Sequence, residues 1–216
     1  MAQLFPPSSN VIAPTVLLGA AGVLLLCAVA VWMLFGSAYA TGVGVPIEQP
    51  VPFSHQHHVG ELGIDCRFCH TAVEVSSSAG VPPTHTCMGC HSQIWTEARM
   101  LEPVRQSMMR NQPIGWNRVN RLPDYVYFNH QVHIAKGVGC VSCHGRVDRM
   151  PLVAKQETLY MRWCLDCHKH PEGSLRTREQ VFQMDSPPPT RAEGVARMKS
   201  HQVQTINLLD CSACHR

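Results

Sequence analysis

The longest apolar run in the chain lies near its N-terminus. Residues Thr15 to Phe35 contain no charged side chain and are rich in Leu, Val and Ala. This length matches the roughly 20 residues that an α-helix needs to cross the hydrocarbon core of a bilayer. The pattern therefore predicts one transmembrane helix over about residues 15–35, within an N-terminal membrane anchor at residues 1–40.

A cleaved secretory signal is the alternative interpretation of this segment. Ala38, Tyr39 and Ala40 form a small-residue sequence of the kind at which signal peptides are removed. The apolar run is longer than the roughly 7 to 15 residues of a signal core, however, and no basic residue precedes it. We therefore expect a retained anchor. Cys27, which lies inside the run, is expected to be a buried and inert thiol.

Beyond the anchor, no long stretch alternates apolar and polar residues as a half-buried strand would. Residues 96–125 contain three prolines and one glycine, which divide any helix into short pieces. The sequence from Ser186 to Pro189 predicts a stiff, extended link. The expected fold class is therefore mainly α with much irregular chain.

Composition changes this picture, because the chain offers little material for an ordinary core. Only 6% of its 216 residues are aromatic, whereas it carries 11 Cys and 13 His. Ten of the Cys form pairs spaced i, i+3, and a His directly follows each pair. We number these sequences motifs 1 to 5: Cys66, Cys69 and His70; Cys87, Cys90 and His91; Cys140, Cys143 and His144; Cys164, Cys167 and His168; Cys211, Cys214 and His215.

C-x-x-C-H is the attachment sequence of c-type haem. Two Cys one helical turn apart can both reach the vinyl groups on one porphyrin edge, and the adjacent His then supplies an imidazole to the iron. A single copy would also suit a zinc half-site or a redox pair, but zinc sites do not require a His after every Cys pair. The sequence therefore predicts a multihaem cytochrome c wrapped around five covalently bound haem c groups.

An internal duplication organises the motifs. The sequence from Phe53 to His58, ahead of motif 1, recurs from Phe128 to His133 ahead of motif 3, and a second motif follows in each half. We therefore expect di-haem module 1 at residues 51–95 and di-haem module 2 at residues 126–172. Residues 96–125 would connect them, and residues 173–216 would form a linker and the site of the fifth haem.

The duplication also selects candidates for the sixth iron ligands. His55 corresponds to His130, and His58 to His133, whereas His57 corresponds to Val132. We predict that His55 and His130 ligate the first haem of each module and that His58 and His133 ligate the second. For the fifth haem the prediction is His201, with a Met such as Met150 or Met161 as the alternative. The remaining histidines, His57, His85 and His170, are expected to be surface groups.

The formal charge of +3 suggests an acidic partner only if the cofactors are ignored. Five haems bring about ten propionates, and each ferric porphyrin core adds about +1, so the loaded protein would carry about −2 when oxidised and about −7 when reduced. We therefore expect no nucleic-acid partner. Arg67, Arg146 and Arg162, beside the motifs, are candidates to pair with propionates.

The Phe-x-His-x-x-His sequence ahead of C-x-x-C-H makes each module resemble the class III, cytochrome c7-like multihaem cytochromes. The order of anchor, duplicated module and terminal motif resembles the pentahaem subunit of alternative complex III, a bacterial quinol:electron-acceptor oxidoreductase. Residues 79–83, 124–128 and 143–145 carry this resemblance. It implies partners: an iron–sulfur subunit, polytopic quinol-binding subunits and a monohaem cytochrome c.

These features together predict an electron-transfer subunit of a membrane quinol oxidoreductase rather than a chain that is catalytic on its own. It would relay electrons toward a monohaem cytochrome c or a terminal oxidase, with the quinol bound by a partner. The haem domain would lie on the periplasmic side of the cytoplasmic membrane. The alternative is an anchored multihaem quinol dehydrogenase or reductase subunit feeding a periplasmic nitrite or oxyanion reductase. A reducing iron would need an open coordination position, which the abundance of His disfavours.

Overall fold

The computed structural model describes residues 5–215 and divides into two compact units, one ending at Val43 and the other beginning at Gly44. The first unit contains helix α1, Ser9–Gly36, and the short helix α2, Ala38–Thr41. None of the 28 residues of α1 is charged and none is buried. The helix is therefore long and apolar enough to cross a membrane, and it contains the whole segment for which the sequence predicts a span.

The second unit consists of short helices joined by irregular chain. Its α-helices are α3, Cys66–Cys69; α4, Thr84–His91; α5, Glu102–Arg110; α6, His130–Ala135; α7, Val141–His144; α8, Met161–Lys169; α9, Arg191–Ser200; and α10, Cys211–Cys214. A π-helix spans Gln56–Glu61, and 3-10 helices span Arg99–Leu101, Val147–Arg149, Pro171–Gly173 and Arg178–Gln180. Within residues 44–215 the only extended pairings are three isolated bridges. The predicted mainly α fold is confirmed.

Local sequence explains where these helices begin and end. In α5, Pro103 occupies the first turn, where a missing N–H costs nothing, and Asn111 ends the helix with a left-handed φ of 50°. At α9, Thr190 and Glu193 form a reciprocal capping box. Short helices with defined ends leave the connecting chain free to follow the cofactor-binding motifs.

The core of side chains is small, as the composition predicts. In the described residues eight apolar side chains are buried, and three of them, Val51, Leu101 and Val104, form one cluster. Cys87 and Met88 of α4 pack against that cluster and so attach motif 2 to α5. Most of the second unit is therefore organised by hydrogen bonds and by the motifs rather than by a continuous apolar core.

Two equivalent hydrogen bonds join the halves of the duplication. The N–H of Gln56 donates to the carbonyl of Met150 (3.1 Å), and the N–H of Gln131 donates to the carbonyl of Ser76 (3.1 Å). Ser76 lies six residues after the His of motif 1, and Met150 lies six residues after the His of motif 3. Each His-bearing helix therefore begins against the segment that follows the first motif of the other half.

Candidate haem-binding sites

Every Cys pair lies on a single helical turn. Motifs 1 and 5 form the one-turn helices α3 and α10, motifs 2 and 4 lie within α4 and α8, and Cys140 of motif 3 directly precedes α7. The i, i+3 spacing therefore places both sulfurs of each pair on one side of a turn, as attachment to one porphyrin edge requires.

Four of the five motif histidines share one hydrogen-bonding pattern. In these four Nδ1 lies within hydrogen-bond distance of a backbone carbonyl, whereas in His144 Nδ1 accepts from the side-chain Nδ2 of Asn120 (3.1 Å). The four pairs are His70 with Gly80 O (2.8 Å), His91 with Ile94 O (3.2 Å), His168 with Leu208 O (2.8 Å) and His215 with Tyr125 O (3.2 Å). Metal-ligating imidazoles usually donate their second N–H in this way, which leaves Nε2 for the metal.

The histidines that the duplication selects face these motif histidines. The rings of His55 and His70 are 6.5 Å apart between centroids with an angle of 3° between their planes. In the second half, His130 and His144 are 6.4 Å apart with an angle of 7°. The structure thus brings together the predicted pair for the first haem of each module.

The second pair of each module is equally close. His58 and His91 have centroids 6.2 Å apart, and so do His133 and His168. Their ring planes differ in orientation, by 66° in the first pair and 26° in the second. All four pairs predicted from the duplication are therefore juxtaposed.

The distance between the rings fits one iron ion between each pair. A metal–imidazole bond of about 2.0–2.1 Å puts the centroids of two rings on opposite sides of one ion about 6.3 Å apart. The four observed separations lie within 0.2 Å of this value. In the described residues no group of three or more His, Cys, Asp and Glu assembles a cage such as zinc would need. The residues present therefore fit haem iron with two axial imidazoles.

The comparisons with known proteins agree with this geometry. Residues 132–216 match the family model described as cytochrome c3. The match lies within the second unit and includes motifs 3, 4 and 5. The chain is also similar to the "Menaquinone reductase, multiheme cytochrome c subunit" of Nitratidesulfovibrio vulgaris (strain Hildenborough). The two are 29% identical over 172 residues, which cover 78% of this chain and 68% of the relative.

A phenylalanine orients both candidate distal imidazoles in each half of the duplication. Phe53 stacks on His58 with centroids 4.4 Å apart and meets the edge of His55 at 4.8 Å. Phe128 repeats the arrangement, stacking on His133 at 4.4 Å and meeting the edge of His130 at 4.8 Å. The Phe-x-His-x-x-His sequence thus fixes two rings, aimed at two different motifs, with one aromatic side chain.

Hydrogen bonds hold the second distal imidazole in both halves and the first in only one. His58 Nδ1 lies 2.9 Å from Ser54 O, and His133 Nδ1 lies 2.7 Å from Asn129 O. His130 Nδ1 lies 2.8 Å from Ser77 O, in the other half. In contrast, His55 Nδ1 is buried without a hydrogen-bond partner in the described part of the chain.

Burial keeps several of these imidazoles neutral. It lowers the pKa of His55 and of His144 to about 4, with neighbouring histidines adding to the effect, and it also lowers the pKa of His133. Because a metal binds the neutral imidazole, the protein stabilises the ligating form near neutral pH.

Burial acts on the sulfurs in the same direction. It raises the pKa of Cys140 and of Cys143 to about 12, so both remain protonated near neutral pH. Motif 3 is therefore the most deeply buried of the Cys pairs whose thiol pKa is raised.

The fifth motif differs from the other four. A bridge between Val126 and His215, and a hydrogen bond from Tyr127 N to Cys214 O (2.8 Å), hold it against the segment before α6. The structure does not bring the predicted ligand His201 to it: His201 Nε2 lies 2.9 Å from Arg176 O. The nitrogen that would ligate iron is thus engaged by a carbonyl. In the described residues no second imidazole faces His215, and His201, Met150 and Met161 remain predictions for this haem.

The three histidines expected to be surface groups lie at or near the surface. His57 is half-exposed, with Nδ1 2.8 Å from Glu61 Oε2 and its ring stacked near Trp95. His85 and His170 are exposed. Two of the arginines suggested as propionate partners are already paired with carboxylates, Arg67 with Asp65 (2.9 Å) and Arg146 with Asp148 (2.6 Å).

Proximity between motifs gives them a spatial order. The pKa of Cys69 in motif 1 is raised by burial and also by the nearby Cys87 of motif 2. The pKa of Cys140 in motif 3 is likewise raised by burial and by the nearby Cys66 of motif 1. The carbonyls of Val181 and Phe182 also accept contacts from Cys140 N (3.0 Å) and Cys66 Sγ (3.9 Å), respectively. Motif 1 therefore has both motif 2 and motif 3 as neighbours.

The order continues toward the C-terminus. Besides burial, Cys167 of motif 4 raises the pKa of Cys143, and Cys214 of motif 5 raises the pKa of Cys164. The hydrogen bond from the His168 ring to Leu208 O adds a direct link between motif 4 and the segment before motif 5. Motif 3 is therefore a neighbour of motif 4, and motif 4 a neighbour of motif 5.

Proposed function

We propose that this chain is a five-haem electron-transfer subunit of a membrane quinone oxidoreductase complex. The observation that carries the proposal is the set of four imidazole pairs separated by 6.2–6.5 Å. Two axial imidazoles fill the coordination sphere of a haem iron and leave no position for a substrate. Such irons exchange electrons rather than bind substrates.

The assignment of residues follows from the same pairs. The ten Cys of motifs 1 to 5 would attach the haems, and each motif His would be one axial ligand. The opposite ligands would be His55 for motif 1, His58 for motif 2, His130 for motif 3 and His133 for motif 4. The haems would supply one-electron redox centres, which the protein would hold in place through hydrogen-bonded imidazoles.

The spatial order of the motifs favours a single electron path. With neighbours in the order 2, 1, 3, 4, 5, electrons would enter at one end and leave at the other. The ends are motif 2, beside the exposed Trp95, and motif 5, beside the exposed Tyr125. Redox partners would therefore dock at these two ends rather than along the middle of the array.

The apolar helix α1 supports retention in a membrane. We propose that it anchors the chain in the cytoplasmic membrane, with the haem-bearing unit on the periplasmic side, where haem is attached to thiols. A single apolar helix offers no quinone site of its own. Polytopic membrane subunits would bind the quinone, and an iron–sulfur subunit and a monohaem cytochrome c would exchange electrons with the haems, as in alternative complex III.

The direction of transfer has two candidates. In the first, a quinol-oxidising partner reduces the haems, which pass electrons to a monohaem cytochrome c or a terminal oxidase. In the second, the haems deliver electrons to a quinone, and this is favoured by the similarity to a subunit of a menaquinone reductase. Both directions use the same array and the same ends.

Rapid mixing tests the proposal. The isolated, haem-loaded chain should be reduced only very slowly by menaquinol or ubiquinol analogues, because it lacks a quinone site. The assembled complex should exchange electrons between quinone and haems rapidly and pass them to added cytochrome c if the first direction is correct. Rapid quinol oxidation by the isolated chain, or rapid turnover of nitrite, would contradict this division of labour.

A further inference from the structure

Arg176 is the most buried charged side chain among the described residues. Only 4% of its surface is exposed, its Nε has no hydrogen-bond partner, and its Nη1 makes one long contact with Gly173 O (3.5 Å). No carboxylate forms an ion pair with it within residues 5–215. Charged groups are rarely buried without a counter-charge, because desolvation is costly. The position therefore requires an anion.

The backbone around Arg176 is fixed firmly. Its N–H donates to Gly137 O (2.7 Å), and its carbonyl accepts from the ring of His201 (2.9 Å). The adjacent Leu175 is bridged to Val138 and is 1% exposed. A loosely placed arginine could turn into solvent, but this one is held in the interior from both sides.

The absence of a side chain at Gly139 leaves room for the side chain of Arg176. A Cβ built at Gly139 would lie 3.0 Å from Arg176 Cγ and 3.7 Å from its Nε. Gly139 directly precedes Cys140 of motif 3. Ser174, two residues before Arg176, has its hydroxyl 3.7 Å from Cys167 Sγ of motif 4. The side chain of Arg176 therefore packs beside motif 3, and the segment that carries it contacts motif 4.

A second guanidinium reinforces the positive charge at this place. Arg197 of α9 is half-buried and donates to the carbonyl of Leu175 (3.0 Å). Burial lowers the pKa of Arg176, and Arg197 adds to this effect. Arginine nevertheless remains charged in proteins, so two like charges share this place, and a carboxylate would neutralise them with the bidentate geometry that arginine favours.

We propose that Arg176, assisted by Arg197, is a binding site for a carboxylate, and that a haem propionate supplies it. Propionates are the carboxylates that the cofactors would bring among motifs 3 and 4. The inference rests on the haem assignments of the proposed function. Arg67 and Arg146, two of the candidates from the sequence, differ from Arg176 because their guanidiniums are paired with protein carboxylates. As a consequence of this binding, one haem near motifs 3 and 4 is held at a higher reduction potential, because the nearby positive charge favours the ferrous state.

The test uses the full chain loaded with haem whose propionate carboxylates carry ¹³C. Redox titration gives the potentials, and redox-difference infrared spectra report the labelled carboxylates. In Arg176→Met, the reduced-to-oxidised ratio of one haem at fixed ambient potential should fall at least about tenfold, which is about 59 mV for a one-electron couple. One labelled carboxylate band should shift with it. Arg176→Lys should recover the potential to within about threefold.

Arg178→Gln is the matched control, because Arg178 is exposed and only two residues away, and both readouts should match the wild type. Unchanged potentials and bands in a fully loaded Arg176→Met would overturn the proposal. A changed potential without a band shift would also overturn it, since the charge would then act without binding. Wild-type potentials that depend on added acetate or phosphate would overturn the propionate as the source.

If Arg176→Met is not loaded with haem, Arg197→Gln tests the same proposal. That variant should lower the same ratio by about threefold and shift the same labelled band, and an unchanged band would contradict the proposal. Failure of this site is distinguishable from failure of the proposed function. Haem number and the kinetics of the assembled complex with quinol test the function, and neither depends on which group neutralises Arg176.

Discussion

The two halves of the duplication place the same rings in nearly the same positions on different backbones. In the first half, His55 precedes a π-helix and His58 lies within it, whereas His130 and His133 both belong to the α-helix α6. The ring separations nevertheless agree within 0.1 Å between corresponding pairs. The constraint that the halves share is therefore the phenylalanine and the facing motif rather than the helix type.

The halves differ in how the rings are oriented and supported. The planes of His58 and His91 are 66° apart, but those of His133 and His168 are 26° apart. Near the first pair, His57 and Trp95 stack, where the second half has Val132 instead of His57. The duplication thus conserves the distance needed for an iron and varies the angle and the surroundings, which are the features that tune each haem.

The largest expected effect comes from removing one ring of a pair. His130→Ala should convert one ferric haem from low-spin to high-spin or water-ligated, because the facing ligand of motif 3 is lost. Absorption spectroscopy of the oxidised chain measures this. His57→Ala is the control and should leave the spectrum unchanged, since His57 faces solvent and Glu61. A wholly low-spin spectrum for His130→Ala would show that His130 is not a ligand.

A smaller but more specific effect distinguishes the second pairs. Electron paramagnetic resonance of the ferric chain should contain one low-spin signal with an unusually large g value, as steeply inclined imidazole planes produce, and it should come from motif 2. His58→Ala should remove this signal, and His133→Ala should leave it. If His133→Ala removed the signal instead, the difference in ring angle between the halves would be wrong.

The smallest expected effect concerns ion pairs beside motifs 1 and 3. Hydrogen bonding to Arg67 lowers the pKa of Asp65, and hydrogen bonding to Arg146 lowers the pKa of Asp148. A carboxyl whose folded pKa lies below its unfolded value of about 3.9 stabilises the fold above that pH. This stabilisation is lost as the pH falls through the lower folded pKa.

Replacement of each carboxylate should reduce the pH dependence of unfolding in acid. The side chain of Asp148 is 13% exposed and that of Asp65 is 48% exposed, so Asp148→Asn should reduce the slope more than Asp65→Asn. Denaturant unfolding of the loaded chain between neutral pH and the acid range measures the slopes. Equal slopes in wild type and Asp148→Asn would mean that the pair near motif 3 adds no stability.

The sequence was sufficient for the features that local spacing determines. Five C-x-x-C-H motifs required five helical turns, and the repeat from Phe53 to His58 selected the four histidines that the fold brings to the motifs. The apolar run likewise predicted a helix that could span a membrane. These predictions depend on residues close together in the chain, so no tertiary structure was needed to make them.

Features that depend on contacts between distant segments could not be predicted from the sequence. Arg176 lies 36 positions after Cys140, and its burial arises from loops whose meeting no local pattern indicates. The same holds for the bond from His130 to Ser77, 53 positions away, and for the engagement of His201 by Arg176. Spacing of three also could not distinguish a π-helix from an α-helix, since both permit the required ring positions.

Near-infrared magnetic circular dichroism of the oxidised, fully loaded chain tests the central claim most directly, because its charge-transfer bands identify the axial ligands of each low-spin haem. The four imidazole pairs predict that at least four of the five ferric haems are bis-histidine. The fifth haem, bound by motif 5, should account for any remaining signal. Fewer than four bis-histidine haems in a chain that carries all five would contradict the account.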